Sequence, residues 1–549
     1  MKEFKPKLFS CMKSYTKEQF VKDLTAGLIV AIIALPLSIA LALASGVTPE
    51  QGLYTAIIAG FVISFLGGSR VQIAGPTAAF ATIVAGIVAK NGIGGLALAT
   101  IIAGILLVVM GLFKLGSLIK FIPYTITTGF TTGIAITLVI GQLKDFMGLT
   151  FKNSPIETID KLKEVVSCIA TFNWQAFVIG AVSLAILIIF PKFIKRIPPS
   201  IFAIIISAAL VKLLNMDVNT IGDLYTISSD LPKFVMPEFS VDAVKSILPD
   251  AFTIAVLAAV ESLLSCVVAD GMTGSRHNSN MELVAQGAGN IASALFGGIP
   301  ATGAIARTAA NIKNGGRTPV AGMVHAVVLL LVLVVLMPFA SLIPMPTIAA
   351  ILFVVAYNMS EWREFTSIIK RAPKSDALVL IVTFVLTVAF DLVVAIIVGI
   401  ILATVMFMKR MSDVTDAYGW KEIDESTDID NISLKVIPEG TMVYEITGPI
   451  FFGASTKIAD VIKRANKNVI VLRMRSVPAI DATGIHSIEQ LIKVCRKKGS
   501  TLVLSHVNEQ PMEALKKSGL LNEIGEENIC EHIDAALERA AQLTTAASK

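Results

Sequence analysis

Charged side chains are scarce in this sequence, and they are unevenly distributed along it. Only 16% of the 549 residues are Asp, Glu, Lys or Arg, whereas a soluble domain carries about 25%. Residues 411–549 hold 36 of the 87 charged residues. The composition therefore argues against a purely soluble enzyme, and it divides the chain into a poorly charged first part and a second part of ordinary charge.

Cysteine and histidine are also rare, with five of each. The cysteines form no CxxC pair and no metal-ligand spacing with the histidines, which argues against a disulfide framework and against a zinc site. We expect no cofactor. The Lys and Arg residues lie in short loops instead of on one basic face, so a nucleic-acid partner is not expected either.

Long apolar runs fill the first part of the chain. Residues 24–49 contain no charged side chain and residues 378–408 contain only Asp391, whereas about 20 apolar residues suffice for a helix to cross a lipid bilayer. Runs of this type, separated by glycine, proline or charge, predict fourteen spans, near residues 24–45, 50–66, 77–89, 95–113, 122–143, 174–190, 198–214, 251–272, 281–297, 302–312, 318–337, 341–357, 375–390 and 392–408.

The positive charges predict an orientation for these spans. Six lysines lie in residues 1–23, and Lys or Arg near the ends of spans marks the cytoplasmic side. We therefore expect residues 1–23 to be a cytoplasmic segment of a multi-pass protein of the cell membrane. Residues 24–410 are its membrane domain, and an even number of spans returns the following residues to the cytoplasm.

The two halves of the membrane domain look related. Phe65-Leu66-Gly67-Gly68 precedes the third span and Leu295-Phe296-Gly297-Gly298 precedes the tenth, at an offset of 230 residues. Repeats over about residues 24–214 and 251–409 would each contain seven spans, and an odd number predicts an inverted repeat, as in many secondary transporters. The alternative is coincidence, since glycine is common in membrane helices.

The third and tenth spans each begin with a proline that should keep the chain extended. Gly75-Pro76 leaves about residues 77–89 helical, and Ile299-Pro300 leaves about residues 302–312. Both are half-helices whose positive N-terminal ends would meet near the middle of the membrane, where they could hold an anion. The alternative is a pair of structural helices kinked by proline.

Two of the ionisable residues inside predicted spans bear on function. Glu261 is near the centre of the eighth span, where a carboxylate must be protonated, paired or in a wet cavity, and a role in proton coupling follows. Ser265, one turn later, could hydrogen-bond the carboxyl, its ligand or a water. The alternative for Glu261 is a packing carboxylic acid that never titrates. Arg307 either adds positive potential to the anion site or extends to the cytoplasmic surface.

The end of the chain alternates between strand and helix patterns. Strands are predicted over residues 442–446, 468–474 and 501–505, and helices over residues 454–465, 482–495, 509–517 and 531–541. Residues 435–545 are therefore expected to form a small α/β domain after a linker of residues 411–434. The domain has no Gly-rich phosphate loop, which favours a regulatory or assembly role over catalysis.

Taken together, the residues resemble the sulfate permease family of anion transporters. The resemblance covers nearly the whole chain and is most specific in residues 261–317, which include Asp270-Gly271-Met272-Thr273-Gly274 and Ala301-Thr302-Gly303-Ala304. Leu35-Pro36-Leu37 and Gly75-Pro76-Thr77 also fit. The resemblance implies a mainly α, 14-span inverted repeat with two half-helices, followed by a cytoplasmic α/β STAS domain.

The family resemblance also implies a substrate site between spans 3 and 10, walled by spans 1 and 8. Carried over by position, the substrate-binding residues are Leu37, Leu41, Thr77, Ala78, Ala79, Gly303, Ala304, Ile305 and Arg307, and the coupling residues are Glu261 and Ser265.

Two departures from the family pattern bear on coupling and regulation. The sodium-coupled bicarbonate transporters of this family have an Asp at the position that resembles Glu261 and a hydroxyl residue at the position that resembles Ile305. These two differences weaken the case for sodium coupling in this chain. Residues 480–484 resemble the STAS loop that carries a phosphorylatable serine in anti-sigma-factor antagonists. Thr483 is the hydroxyl left there, beside Ala482, which argues against regulation by phosphorylation.

The sequence therefore predicts a secondary active transporter, not an enzyme, that moves sulfate with a proton by alternating access. The family resemblance implies that spans 1–4 and 8–11 slide against the rest, and the chain is expected to form a homodimer. Bicarbonate or a C4-dicarboxylate such as fumarate remains open as the substrate, because backbone N–H groups accept any anion that fits. The alternative functions are an uncoupled anion channel and a ligand-sensing membrane receptor. A nucleobase transporter of the same membrane fold is a third, but the STAS domain argues against it.

Overall fold

The computed structural model describes residues 4–117, 123–153, 155, 157–193, 198–237, 239–390, 392–419, 435–452, 458 and 467–547. The chain divides into two compact units, Met1–Ile400 and Ile401–Lys549. Asp391 and most of the helix predicted over residues 454–465 lie outside the described residues.

The first unit is built almost entirely of helices. In chain order they are α1 (Lys7–Cys11), α2 (Lys17–Ala44), α3 (Pro49–Leu66), α4 (Ala78–Leu112), α5 (Tyr124–Met147), α6 (Thr158–Ser167), α7 (Trp174–Phe193), α8 (Pro199–Leu213), α9 (Ile221–Leu224), α10 (Val241–Thr273), α11 (Ser279–Leu295), α12 (Ile305–Lys313), α13 (Val320–Ala340), α14 (Met345–Met359), α15 (Trp362–Arg371) and α16 (Lys374–Ala389). Helix α17 (Leu392–Val414) begins in the first unit and continues into the second.

Every predicted span overlaps one of these helices, and the chain is a multi-span membrane protein. Among the described residues, eight helices are long and apolar enough to cross a bilayer: α2, α3, α4, α5, α7, α10, α13 and α17. Spans 3 and 4 lie in the single element α4, which is interrupted at Gly92 by a positive φ of 69°. The total of fourteen spans stays a prediction.

The prediction from apolar runs missed the short helices α1, α6, α9 and α15 of the first unit. Helices α6 and α15 are ten residues each, and each contains four charged residues. A search for long uncharged windows cannot find such segments, because their apolar residues occupy only one face of a short helix.

A short antiparallel pair of strands lies in front of the two half-helices. Strand β1 (Ala74–Gly75) pairs with β2 (Thr302–Gly303), so that Ala74 lies opposite Gly303. Helix α4 begins at Ala78, close to the expected start at residue 77, whereas Thr302 and Gly303, expected to be helical, form β2, and α12 begins only at Ile305. The extended backbone next to each proline thus forms a strand pair that fixes the two helix starts to one another.

Close helix packing supports this arrangement. A Cβ atom added to Gly287 of α11 would lie 2.4 Å from the Gly104 carbonyl oxygen of α4, which is far inside van der Waals contact. Only glycine permits the two backbones to approach so closely. Helix α11 therefore packs closely against α4.

The second unit contains a five-stranded sheet in the order β3-β4-β5-β6-β7. Its strands are β3 (Asp416–Gly419), β4 (Thr441–Thr447), β5 (Val469–Ser476), β6 (Thr501–Ser505) and β7 (Ile529–Cys530). Strand β3 is antiparallel to β4 and the other pairs are parallel. The helices described with the sheet are α18 (Ala482–Lys497), α19 (Glu509–Lys517), α20 (Leu520–Ile524) and α21 (Ile533–Ala547).

Both faces of this sheet are covered. Ile470 and Leu472 of β5 belong to one buried apolar cluster, whereas Val469 and Val471 belong to another with Leu537 of α21. Burial on both faces is typical of parallel sheets and explains the unbroken apolar run in β5. Strand β3 lies inside the stretch expected to be a linker, and both β3 and β7 are too short for the sequence pattern to predict.

Candidate functional site

Two uncapped helix N-termini form the centre of the candidate site. Thr77 is the N-cap of α4 and Ala304 is the N-cap of α12, and neither side chain makes a capping hydrogen bond. The Ala304 N–H donates to the Ile73 carbonyl oxygen (2.8 Å), which extends the β1–β2 pairing up to the start of α12. Both helices therefore present their positive ends at one place, with Thr77 and Ala304 half-buried.

Helix α10 brings a carboxylate to this place. The Thr77 hydroxyl donates to Glu261 Oε2 at 2.9 Å, so the side chain that could have capped α4 is directed at the carboxylate instead. Glu261 is half-buried in the interior of α10. The charge that the sequence places in the eighth span thus lies beside the first half-helix.

Neighbouring hydroxyls fasten α10 to the second half of the site. Ser262 Oγ lies 2.8 Å from Thr302 Oγ1 and accepts a hydrogen bond from the Gly303 N–H (3.0 Å). These contacts were not predicted, because Ser262 has no distinguishing signal in an apolar helix. They hold β2 in place, and Gly303 is buried.

Ser265 contacts α12 and not the Glu261 carboxyl. Its hydroxyl donates to Thr308 Oγ1 at 3.4 Å, and the same oxygen accepts from the Ile73 N–H at 3.0 Å. Ser265 is fully buried. In this structure it packs behind the helix starts, where it joins α10 to α12.

Arg307 points from α12 towards the first half-helix. Its side chain is 3% exposed, which excludes the alternative that it extends to the cytoplasmic surface. Nη2 donates to the Pro76 carbonyl oxygen at 3.2 Å, and no acceptor for Nη1 lies among the described residues. A Cβ atom on Gly75 would be 2.5 Å from Nη1, so glycine at that position makes room for the guanidinium.

The apolar residues assigned to the site fall into two groups. Leu41 and Ala78 belong to one buried cluster against which Leu37 packs, so the structure brings α2 and the start of α4 together. Ala79 is fully buried. Ile305, by contrast, is 38% exposed at the start of α12, so its side chain borders accessible space.

A hydrogen-bond network behind the strand pair was not predicted from the sequence. Glu282 of α11 is fully buried and accepts from the N–H groups of Gly68 (2.9 Å) and Ser69 (3.0 Å) and from Gln72 Nε2 (2.9 Å). The Cys266 thiol donates to the other end of the same amide, Gln72 Oε1, at 2.9 Å. Gln72 is therefore held at both ends.

This fixed glutamine packs directly on the second strand. A Cβ atom at Gly303 would lie 2.2 Å from Gln72 Nε2. The network thus sets how closely β1 and β2 approach, and with them the two helix starts. Its residues are far apart in the sequence, so no local pattern could have revealed it.

The STAS-like loop, residues 480–484, leads into the first turn of helix α18. Asp481 caps α18 by accepting from the Gly484 N–H at 2.8 Å, and it also accepts from the Phe452 N–H at 3.0 Å. Thr483 is half-buried in the first turn, and its carbonyl oxygen accepts from Ser487. The loop is thereby held by its acidic residue.

The site can bind an anion through backbone dipoles, without covalent chemistry. Within the described ranges, no group of three His, Cys, Asp or Glu side chains could hold a metal ion. The polar groups that converge are two helix N-termini, the Thr77 hydroxyl, the Glu261 carboxyl and the Arg307 guanidinium.

Comparison with known families and relatives gives consistent matches. Residues 20–383 match the sulfate permease family and residues 432–536 match the STAS domain. A putative sulfate transporter, YvdB of Bacillus subtilis, is 40% identical over 528 residues, which are 95% of this chain and 98% of that protein. The bicarbonate transporter BicA of a Picosynechococcus strain is 31% identical over 543 residues, or 94% of each chain.

Solved structures show the same fold. Murine Slc26a9, an anion transporter in the inward-facing state, superposes with a TM-score of 0.88 at 18% identity, covering 98% of this chain and 94% of that one. The transmembrane domain of a cyanobacterial BicA gives a TM-score of 0.62 at 30% identity, covering 71% of this chain and 98% of that domain.

Proposed function

The chain belongs to the sulfate permease family, and we propose on this premise that it moves sulfate together with a proton across the membrane by alternating access. The family is one of anion transporters and not of enzymes. The proposal concerns the particular anion, the coupling ion and the residues that bind them.

The observation that carries the proposal is the meeting of two uncapped helix starts through the β1–β2 pair. Each end supplies N–H groups and about half a positive charge from the helix dipole. Such a site attracts any anion that fits, whether sulfate, bicarbonate or a dicarboxylate. This supports the nine assigned residues on spans 1, 3 and 10 as the substrate site. Arg307 adds a fixed positive charge to it.

Glu261 supports proton coupling for an electrostatic reason. A charged carboxylate bonded to Thr77, the N-cap of the first half-helix, would repel an anion bound at that helix start. Protonation removes this repulsion, so anion and proton should bind together and cross together. Ser265 would act indirectly, because its hydroxyl is bonded to Thr308 of α12.

The proposal extends to the arrangement of the whole chain. We propose fourteen spans in a 7+7 inverted repeat, a membrane domain of residues 24–410, and an N-terminus and STAS domain of residues 435–545 in the cytoplasm. Spans 1–4 and 8–11 would move against the others, and the transporter would be a homodimer. Native mass spectrometry tests the homodimer, and protease protection in sealed vesicles tests the cytoplasmic location of the N-terminus and the STAS domain.

Bicarbonate is the second candidate substrate, and the similarity to the BicA proteins favours it. The discriminating experiment is uptake of labelled sulfate, bicarbonate and fumarate into proteoliposomes, each with and without a proton or a sodium gradient. We expect sulfate uptake that an inward proton gradient drives above equilibrium. Uptake that no gradient can drive above equilibrium would indicate a channel, and binding without uptake would indicate a receptor.

A further inference from the structure

The segment that precedes the first long helix packs against the end of α3. The Lys7 N–H donates to the Gly67 carbonyl oxygen at 2.9 Å, and Leu8 and Cys11 are each only 7% exposed. The segment therefore has one fixed side, which faces the protein, and one free side.

The free side continues a row of aromatic rings on α3. Phe61 and Phe65 are 41% and 39% exposed, and their rings stack with centroids 6.4 Å apart. Phe9 adds a third ring, 6.3 Å from Phe65 in an edge-on arrangement, and is 48% exposed. Because α3 is a membrane-spanning candidate, we expect its exposed rings to face lipid. Phe9 packs at the Phe65 end of this row, where the row would reach the membrane surface.

The same segment carries positive charge with little to balance it. Lys5, Lys13 and Lys17 are exposed and Lys7 is half-buried. Glu18 is the acidic residue of residues 4–22, and it forms an ion pair with Lys22 at 2.6 Å. The next acidic residue, Asp23, is fully buried and accepts from Tyr15 and Gln19.

We propose that residues 5–17, the basic N-terminal segment, bind the headgroups of anionic phospholipids. Lys5, Lys7 and Lys13 would contact the phosphates, while Phe9 and the exposed Met12 would enter the edge of the acyl chains. Aromatic and apolar side chains next to lysines are the combination that binds at a membrane interface. The segment would then tie α3, and through Gly67 the approach to β1, to the charge of the surrounding lipid.

The test uses the full chain with the substitutions Lys5→Gln, Lys7→Gln and Lys13→Gln combined. Thermal stability is measured in mixed micelles titrated with phosphatidylglycerol or with phosphatidylcholine. Each lysine near an anionic surface is worth about fivefold in partitioning, so the phosphatidylglycerol midpoint should shift upward roughly a hundredfold. A control variant with Lys497→Gln, Lys516→Gln and Lys517→Gln, all exposed in the second unit, should respond as the parent does.

An equal response of the two variants to phosphatidylglycerol would overturn the proposal. So would stabilisation of the parent by glycerol phosphate in solution to the same extent, since that result would indicate a site for a free phosphate.

A second variant measures how deeply position 9 enters the membrane, and it does not depend on the lysines. Phe9→Trp should be quenched by phospholipids brominated near the top of their acyl chains, after subtraction of the fluorescence of the parent protein. Quenching by iodide in the water, without quenching by the brominated lipid, would show that position 9 faces solvent and would contradict the proposal. This readout is independent of substrate, so it also distinguishes failure here from failure of the proposed transport activity.

Discussion

Thr77 donates its hydroxyl hydrogen to Glu261 across 2.9 Å, and this bond joins the start of the first half-helix to the middle of α10. The N-cap of α4 therefore interacts with a titratable carboxyl instead of with its own helix. Any change in the charge of Glu261 therefore changes the electrostatic potential at the helix start where an anion would bind. This relationship is the physical basis of the coupling that we propose.

Glu261→Gln should abolish proton-driven accumulation of sulfate while leaving sulfate binding largely intact. The substitution removes the titratable proton, keeps the shape, and leaves an amide oxygen that can still accept from Thr77. Accumulation is measured in proteoliposomes under an imposed pH gradient, and binding by thermal stabilisation. Accumulation at the parental rate with unchanged pH dependence would refute the coupling role.

Gly303→Ala should destabilise the protein by about 1–3 kcal/mol. The added methyl group would lie 2.2 Å from Gln72 Nε2, and Gln72 cannot move aside because Glu282 and Cys266 hold its two ends. Thermal unfolding in detergent gives the loss. Adding Gln72→Ala to the same chain should recover part of it, whereas equal stability of Gly303→Ala and the parent would show that the network is not rigid.

Arg307→Met should weaken sulfate binding about tenfold to hundredfold, since a hydrogen bond to a charged group is worth about 1.5–3 kcal/mol. Arg307→Lys keeps the charge but loses the planar fork, so its affinity should be intermediate. The stability of each variant without sulfate separates the effect of the bond to Pro76 from the effect on binding. Parental affinity of Arg307→Met would mean that the guanidinium serves only the fold.

Deletion of residues 435–549 should leave the rank order of substrates unchanged. The second unit has buried clusters of its own on both faces of its sheet, and the assigned substrate residues all lie in the first unit. Expression or uptake rate can fall if the domain assists assembly. A changed order among sulfate, bicarbonate and fumarate would show that the second unit shapes the site.

The parts of the site that the sequence could reveal are those with local causes. Pro76 and Pro300 each keep the backbone extended shortly before a helix, so the two helix starts follow from residues a few positions away. Glu261 was recognisable because a carboxylate is conspicuous in an apolar run. Strands β4, β5 and β6 and helices α18, α19 and α21 of the second unit follow from periodicity and length in the same way.

The contacts that assemble these parts could not be predicted. Gln72 and Glu282 are 210 residues apart in the chain, and Ser262 reaches Thr302 across 40. Each is an ordinary residue in its own helix or loop, and its partner is decided by helix packing. For the same reason the sequence placed Ser265 beside Glu261, whereas packing directs its hydroxyl to Thr308.

The central claim is that the charge of two opposed helix starts, and not packing alone, holds the anion. Ala304 is the position to test, because it is the half-buried N-cap of α12 and its N–H is already bonded to the Ile73 carbonyl oxygen. Asp and Asn are similar in size and both can cap a helix, so the two variants differ mainly in a negative charge at the helix start.

The most direct measurement is the sulfate-dependent thermal stabilisation of purified Ala304→Asp compared with Ala304→Asn. The fixed carboxylate should compete for the N–H groups and repel sulfate, so stabilisation should vanish in Ala304→Asp and persist in part in Ala304→Asn. Equal loss of stabilisation in both variants would mean that packing alone explains the site, and it would contradict the account.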